Sequence, residues 1–182
     1  MDGKITREEA MGRRENVETI HRREVPESPK RHENLESHPL GELFLKGEVD
    51  HLKSHVDMGT WEKVRLLDKK NSEDPMIRFA KILGCRWVYA YKFDKHGRLQ
   101  KVKASLVIRG DQQKRVTDKD TYAATLAGRF FRVLMAIAAR FDLELIQYDA
   151  VAHLHEVVFM RIPPGYGEVN MVFRLRKALY GL

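Results

Sequence analysis

Between Pro39 and Met58 the apolar residues Leu45, Val49, Leu52 and Val56 recur every three or four positions, which places them on one stripe of an α-helix. Gly59 supplies a stop. Beyond it the period shortens to two. Trp61–Leu67 reads as a short strand and Lys69–Pro75 as a polar loop. Cys85–Phe93 and Leu99–Arg109 are rich in β-branched and aromatic residues and flank Asp94-Lys95-His96-Gly97, a turn sequence whose glycine permits positive φ. Together they predict a β-hairpin. Strand side chains alternate, so Val102, Ala104, Leu106 and Ile108 point one way and Lys101, Lys103, Ser105, Val107 and Arg109 the other. One face of the hairpin is apolar and the other mostly basic.

Gly110–Thr121 reads as a polar loop. Gly128–Asp142 carries Phe130, Phe131, Val133, Leu134, Ile137, Ala138 and Phe141, an almost all-round apolar pattern that predicts a buried helix. Leu143–Val151, Val157–Arg161 and Val169–Leu175 read as strands, with a turn at Pro163-Pro164-Gly165. The first 34 residues show no apolar periodicity, and Val25-Pro26-Glu27-Ser28-Pro29 interrupts any element with two prolines. The expected organisation is a disordered or weakly helical linker over residues 1–35 and one folded domain over residues 36–182.

Composition sharpens this picture. A chain of 182 residues with 43% hydrophobic content buries roughly 70% of its unfolded surface on folding. Its net charge is +7. Residues 1–34 hold as many acidic as basic side chains, so the whole excess belongs to the remainder. A basic folded part suits a polyanionic partner such as nucleic acid, with an ordinary basic protein as the alternative. The single cysteine, Cys85, excludes an intramolecular disulfide, fits a reducing intracellular compartment, and in its apolar run reads as a core thiol. The opening MDGKITREEA lacks the apolar stretch of a signal peptide. The longest apolar run, Val133–Ala139, falls short of the roughly 20 residues that cross a bilayer. His51 and His55 lie one helical turn apart, as zinc ligands can, but no Cys or third His follows at metal-site spacing, so a helix-surface role is preferred.

Several blocks, in order, resemble the reverse transcriptase domain of copia-type retrotransposons. His55-Val56-Asp57-Met58-Gly59-Thr60-Trp61 resembles its entry segment. Arg86-Trp87-Val88-Tyr89 with Lys92, Asp94 and Gly97 resembles the first fingers strand and its turn. Lys103 through Gln113 resembles the family's Lys-Ala-Arg-Leu-Val-x-x-Gly-x-x-Gln block. Thr121 through Leu126 and Arg132 through Ala139 resemble the following loop and helix. Gln147-Tyr148-Asp149-Ala150-Val151 resembles the strand bearing the first catalytic aspartate. Val158-Phe159-Met160, Pro164-Gly165-Tyr166 and Lys177-Ala178-Leu179-Tyr180-Gly181-Leu182 resemble the blocks after it. The resemblance covers about residues 36–182.

This resemblance implies an α+β fold, the fingers and part of the palm of a right-hand polymerase, cut short. It implies an RNA template, a DNA primer and a deoxynucleoside triphosphate as partners, no membrane, and a cytoplasmic or nuclear location. It also implies nucleotidyl transfer with two Mg²⁺ ions, which stabilise the attacking and leaving oxygens. The Asp149 carboxylate and the Ala150 main-chain carbonyl are the implied metal ligands, Asp149 being the catalytic residue, and Mg²⁺ favours such hard oxygen donors. Ala150 also borders the nucleotide. Lys92 and Lys103 on the hairpin are the implied triphosphate contacts, and Arg109 an implied template-phosphate contact.

Three departures from the family pattern bear on activity. The sequence contains no Tyr-x-Asp-Asp, the motif that supplies the other metal carboxylates, and no aspartate follows Asp149. Ser105 stands where the family has an arginine on the face of Lys103. The stretch from Asp149 to Val157 is shorter than the family's and lacks its aromatic residue. The expectation is a partial element without polymerase activity. A non-enzymatic nucleic-acid-binding remnant is the second reading, and a chain with no stable fold the third.

Overall fold

The computed structural model describes residues 4–13, 17–112, 128–146 and 157–180. They fall into two units, one of Met1–Gln113 with Ala152–Leu182 and one of Lys114–Val151. The first unit is a mixed α+β structure. It contains α1 (Arg7–Gly12), α2 (Gly41–Asp57), β1 (Trp61–Arg65), α3 (Leu66–Lys70), α4 (Pro75–Phe79), β2 (Ile82–Leu83), β3 (Cys85–Phe93), β4 (Leu99–Ile108), β5 (Phe159–Arg161) and β6 (Met171–Leu175). The second contains α5 (Gly128–Arg140).

The strands form two sheets. One has the order β1-β6-β5-β2, with β1 and β5 antiparallel to β6 and β2 parallel to β5. The other is the expected hairpin, β3 against β4, in register Trp87↔Leu106, Tyr89↔Ala104 and Tyr91↔Val102. Its turn is built as the sequence dictates. The Asp94 carboxylate accepts the backbone N–H groups of His96 and Arg98, both at 2.8 Å, and Gly97 takes φ +80°. Those N–H donors, the Arg98 one first, hold the Asp94 carboxyl below its ordinary range.

A two-stranded sheet leaves two edges of unpaired backbone groups. Here three distant segments cover β4. Leu99 N–H donates to Ile20 O at 2.8 Å, Leu106 N–H to the imidazole Nε2 of His51 at 3.1 Å, and Ile108 N–H to Tyr180 O at 2.9 Å. The block around Lys177 is thereby a strap: Lys177 donates to Met58 O at 2.6 Å, Leu179 is buried, and Tyr180 closes the strand edge.

The structure corrects five expectations. The segment expected to be a linker packs into the fold: Ile5, Ala10, Ile20, Val25 and Leu35 are all buried in the main core. Its backbone reaches the hairpin tip, with Arg22 N–H donating to Gly97 O at 2.8 Å. Irregular spacing hid this, because the arm uses its apolar side chains one at a time as plugs and not as a periodic face.

The helix expected over 39–58 is present as α2, but it buries a different face. Gly41, Phe44 and Glu48 are buried, with His51 and His55 half-buried on the same side, whereas Leu45, Val49 and Val56 are exposed. Only Leu52 of the aliphatic stripe packs against the core. The polar inner positions win because each meets a partner across the core.

The polar loop expected over 69–75 is confined to residues 71–74, between two short helices. Residues 66–70 form α3, and α4 starts at Pro75 behind an Asp74 cap whose carboxylate accepts Met76 N–H at 2.8 Å. Lys69 is buried; its ammonium donates to Arg78 O at 3.0 Å and lies 5.1 Å from the Phe159 ring centre.

Helix α5 forms as expected, yet its burial does not follow: among its described residues only Ala138 is buried, and Phe130, Phe131, Val133, Leu134 and Ile137 are exposed. The segments that flank it, 113–127 and 147–156, lie outside the described residues. Of the strand expected over 143–151, residues 143–146 carry no strand and the rest lie outside the described residues.

Candidate nucleotide and nucleic-acid interface

The hairpin register decides which expected site residues share a surface. Lys92 stands directly opposite Lys101, and Lys103 opposite Ala90. Because side chains alternate, Lys92, Lys101 and Lys103 all lie on the outer face, away from buried Trp87, Tyr89, Ala104 and Leu106. Directly opposed Cβ atoms sit about 5 Å apart and diagonal ones about 7–8 Å, so the three lysines branch from one small patch of the strand pair. All three lysines are exposed, and among the described residues none is in an ion pair. They line an open groove of about 550 Å³ together with Asp50 and His51 of α2 and Gln100 of β4. Three unneutralised cations on a rigid strand pair attract a multiply charged anion.

The pairing thus unites Lys92 and Lys103 and adds Lys101, which opposes Lys92 across the hairpin. The signal was in the sequence, since pairing the strands around Asp94–Gly97 sets those two lysines across from each other. Ser105 lies on the same face, two residues from Lys103 and opposite Val88. Arg109 is placed differently. Its guanidinium grips the Asp111 carboxylate through two bonds, Nη2 to Oδ2 at 2.7 Å and Nε to Oδ1 at 3.3 Å. That fork holds the Asp111 carboxyl below its ordinary range and raises the arginine further. A phosphate must displace Asp111 to take the same fork.

Asp149 and Ala150 lie outside the described residues. Among the described residues no group of three or more His, Cys, Asp or Glu is placed to hold a metal ion. The donor set that the sequence offers, one carboxylate and one carbonyl, is hard-oxygen chemistry but too little charge for two divalent ions.

The two helix histidines are structural. His51 Nε2 accepts Leu106 N–H, and His55 Nδ1 lies 3.0 Å from the Thr60 hydroxyl. Their rings belong to an aromatic ladder that runs Trp87–His51–His55–Trp61–Phe173, with centre distances of 5.9, 4.5, 5.0 and 5.0 Å. It joins the hairpin to the four-stranded sheet. Burial, then the charges of His55 and Lys103, lowers the His51 pKa to about 4, which keeps it neutral and able to accept. Cys85 donates its thiol to Arg161 O at 3.3 Å, and burial pushes its pKa up to about 12.

Sequence reasoning missed a second cluster. Glu48, Tyr89, Tyr166 and His32 meet in the interior, and no local pattern announces them because each comes from a different element.

Comparison with known proteins identifies the family. A family model described as reverse transcriptase (RNA-dependent DNA polymerase) matches residues 74–182. The retrovirus-related Pol polyprotein from transposon TNT 1-94 of Nicotiana tabacum is 32% identical over 166 residues, 86% of this chain and 12% of that protein. The corresponding polyproteins from transposons RE2 and RE1 of Arabidopsis thaliana are each 33% identical over 110 residues, 56% of this chain and 8% of theirs. The chain therefore spans an eighth or less of the length of these relatives. No solved structure matches. No helix among the described residues is long and apolar enough to cross a membrane. The family generally uses divalent metal ions, and by the match over more than half its length this chain belongs to it: the reverse transcriptases (RNA-dependent DNA polymerases), in the copia-type retrotransposon Pol polyprotein group.

Proposed function

We propose that this chain forms the fingers and part of the palm of a right-hand polymerase, and that the outer face of its hairpin binds the triphosphate of an incoming nucleotide and the backbone of a nucleic-acid template. The observation that carries the reading is the cross-strand cluster of Lys92, Lys101 and Lys103, three exposed ammonium groups without an ion pair among the described residues. Lysine serves such a site as a mobile point charge. Arg109 contributes to template phosphate only when Asp111 releases it.

In this proposal Asp149 and the Ala150 carbonyl are two of the ligands that a Mg²⁺ site of the family pattern needs. One carboxylate does not fit a two-ion site, so no catalytic step is assigned to these 182 residues taken alone.

Two measurements test this. Single-stranded RNA and DNA binding is followed by fluorescence anisotropy against salt. Contacts from three lysines give a slope of log K against log[salt] of about −2, and a flat response sinks the phosphate reading. Mg²⁺-dependent primer extension by the purified chain, if detected and lost in Asp149→Asn, overturns the assignment of binding without chemistry.

A further inference from the structure

The Glu48 side chain has no exposed surface, yet it carries a carboxylate into the core. Three polar groups converge on it. The Tyr89 hydroxyl donates at 2.5 Å and the Tyr166 hydroxyl at 3.0 Å, while His32 Nδ1 lies 3.1 and 3.0 Å from the two oxygens. Burial, reinforced by the bond to Glu48, pushes both tyrosine hydroxyls well above their ordinary range, so both remain donors.

These partners come from β3, from the turn after β5 and from the N-terminal arm. Two residues from Tyr89 on the same strand face, Trp87 donates its indole N–H to Pro164 O at 3.2 Å. The hairpin is therefore tied to the Pro163–Tyr166 turn at two neighbouring points, and α2 supplies the acceptor for one of them. The fit around the turn is tight: a Cβ at Gly165, which has φ +87°, would lie 2.1 Å from His32 Nε2.

An apolar side chain of similar volume at position 48 fills the core at lower desolvation cost. What it does not do is aim three donors at one point. We propose that Glu48 is a positioning residue: its buried carboxylate locks the β3–β4 hairpin to the Pro163–Tyr166 turn and to the arm at His32, and so fixes where the lysine face on the far side of the hairpin is held. This rests on the nucleotide-binding reading of that face and deepens it.

The test uses the whole chain in a Trp61→Phe background, which leaves Trp87 as the emitting tryptophan, and compares Glu48→Gln and Tyr166→Phe. Glu48→Gln keeps the volume and removes the charge. The expected result is amide hydrogen exchange about tenfold faster in Trp87–Tyr91, the size set by losing a hydrogen bond to a charged group, with β1 and β6 unchanged. Trp87 emission shifts to the red, and dATP affinity falls by a similar factor. Tyr166→Phe, which deletes one hydroxyl and leaves α2 and β3 untouched, gives the same pattern at smaller size. Unchanged exchange in the hairpin, or an equal acceleration in β1, β6 and the hairpin for both variants, overturns the proposal. If the unsubstituted chain does not bind dATP, the nucleotide reading fails instead, and the positioning role is judged by exchange and emission alone, on the same two results.

Discussion

Lys92 and Lys101 face each other directly across the β3–β4 pair, one residue before the irregularity that separates Lys92 from Phe93. Like charges in that position repel, which costs the hairpin a few tenths of a kcal/mol. The proposed binding role accounts for a pair that weakens the fold and remains exposed. Lys101→Thr is therefore expected to raise the melting temperature slightly while weakening dATP and single-stranded RNA binding about three- to tenfold, with the salt slope reduced by about 0.7. Thermal melting and anisotropy titration on the same preparation check both signs, and a variant that loses stability and keeps its affinity contradicts the assignment.

Arg109 is occupied by Asp111. Asp111→Asn weakens that grip and removes a negative charge from the basic face. Nucleic-acid affinity should rise at low salt and the salt slope should steepen by about one unit. Anisotropy titrations at several salt concentrations measure this, and an unchanged slope places Arg109 away from the bound phosphates.

Acid sensitivity follows from His51. Its folded pKa of about 4 lies below the ordinary 6.5, so between these values the unfolded chain binds the extra proton. Stability is present above about pH 6.5 and is lost as the pH falls toward 4. Burial shifts His38 and His55 the same way. Melting temperatures should be flat above neutrality and fall below about pH 6.5, and His51→Gln should flatten the upper part of that fall.

Gly165→Ala places a methyl group where His32 sits and strains a backbone at φ +87°. Moving His32 also strips one partner from the buried Glu48 carboxylate. The combined cost is about 2–4 kcal/mol. Urea unfolding of the variant measures it, and a loss below about 1 kcal/mol would mean the turn relaxes freely.

The hairpin was legible because everything that defines it is local: alternation, β-branched content and an Asp-x-x-Gly turn fix both strands and their register. The shared face of Lys92 and Lys103 came with it. The helix at 41–57 was legible as a helix, but its orientation was not. Leu45, Val49 and Val56 look like the natural core stripe until Tyr89, Tyr166, His32, Thr60 and Leu106 N–H are known to wait for Glu48, His51 and His55 on the other side. Buried polar positions are specified by partners distant in the chain, and periodicity does not carry that information. The same applies to Ile5, Ile20 and Val25, each of which fills one gap in a core that other segments build. The metal-ligand expectation at Asp149 and Ala150 lies outside the described residues.

The cover over β4 has a consequence for the order of folding. The N–H groups of Leu99 and Leu106 find their acceptors, the Ile20 carbonyl and the His51 imidazole, in segments synthesised earlier, so most of that edge can close as soon as the hairpin leaves the ribosome. Ile108 must wait for Tyr180, which is made only after α5, β5 and β6. Until then a nascent chain presents one open strand end at Ile108. Such an end invites pairing with another chain, and the segment around Lys177 is what ends that exposure.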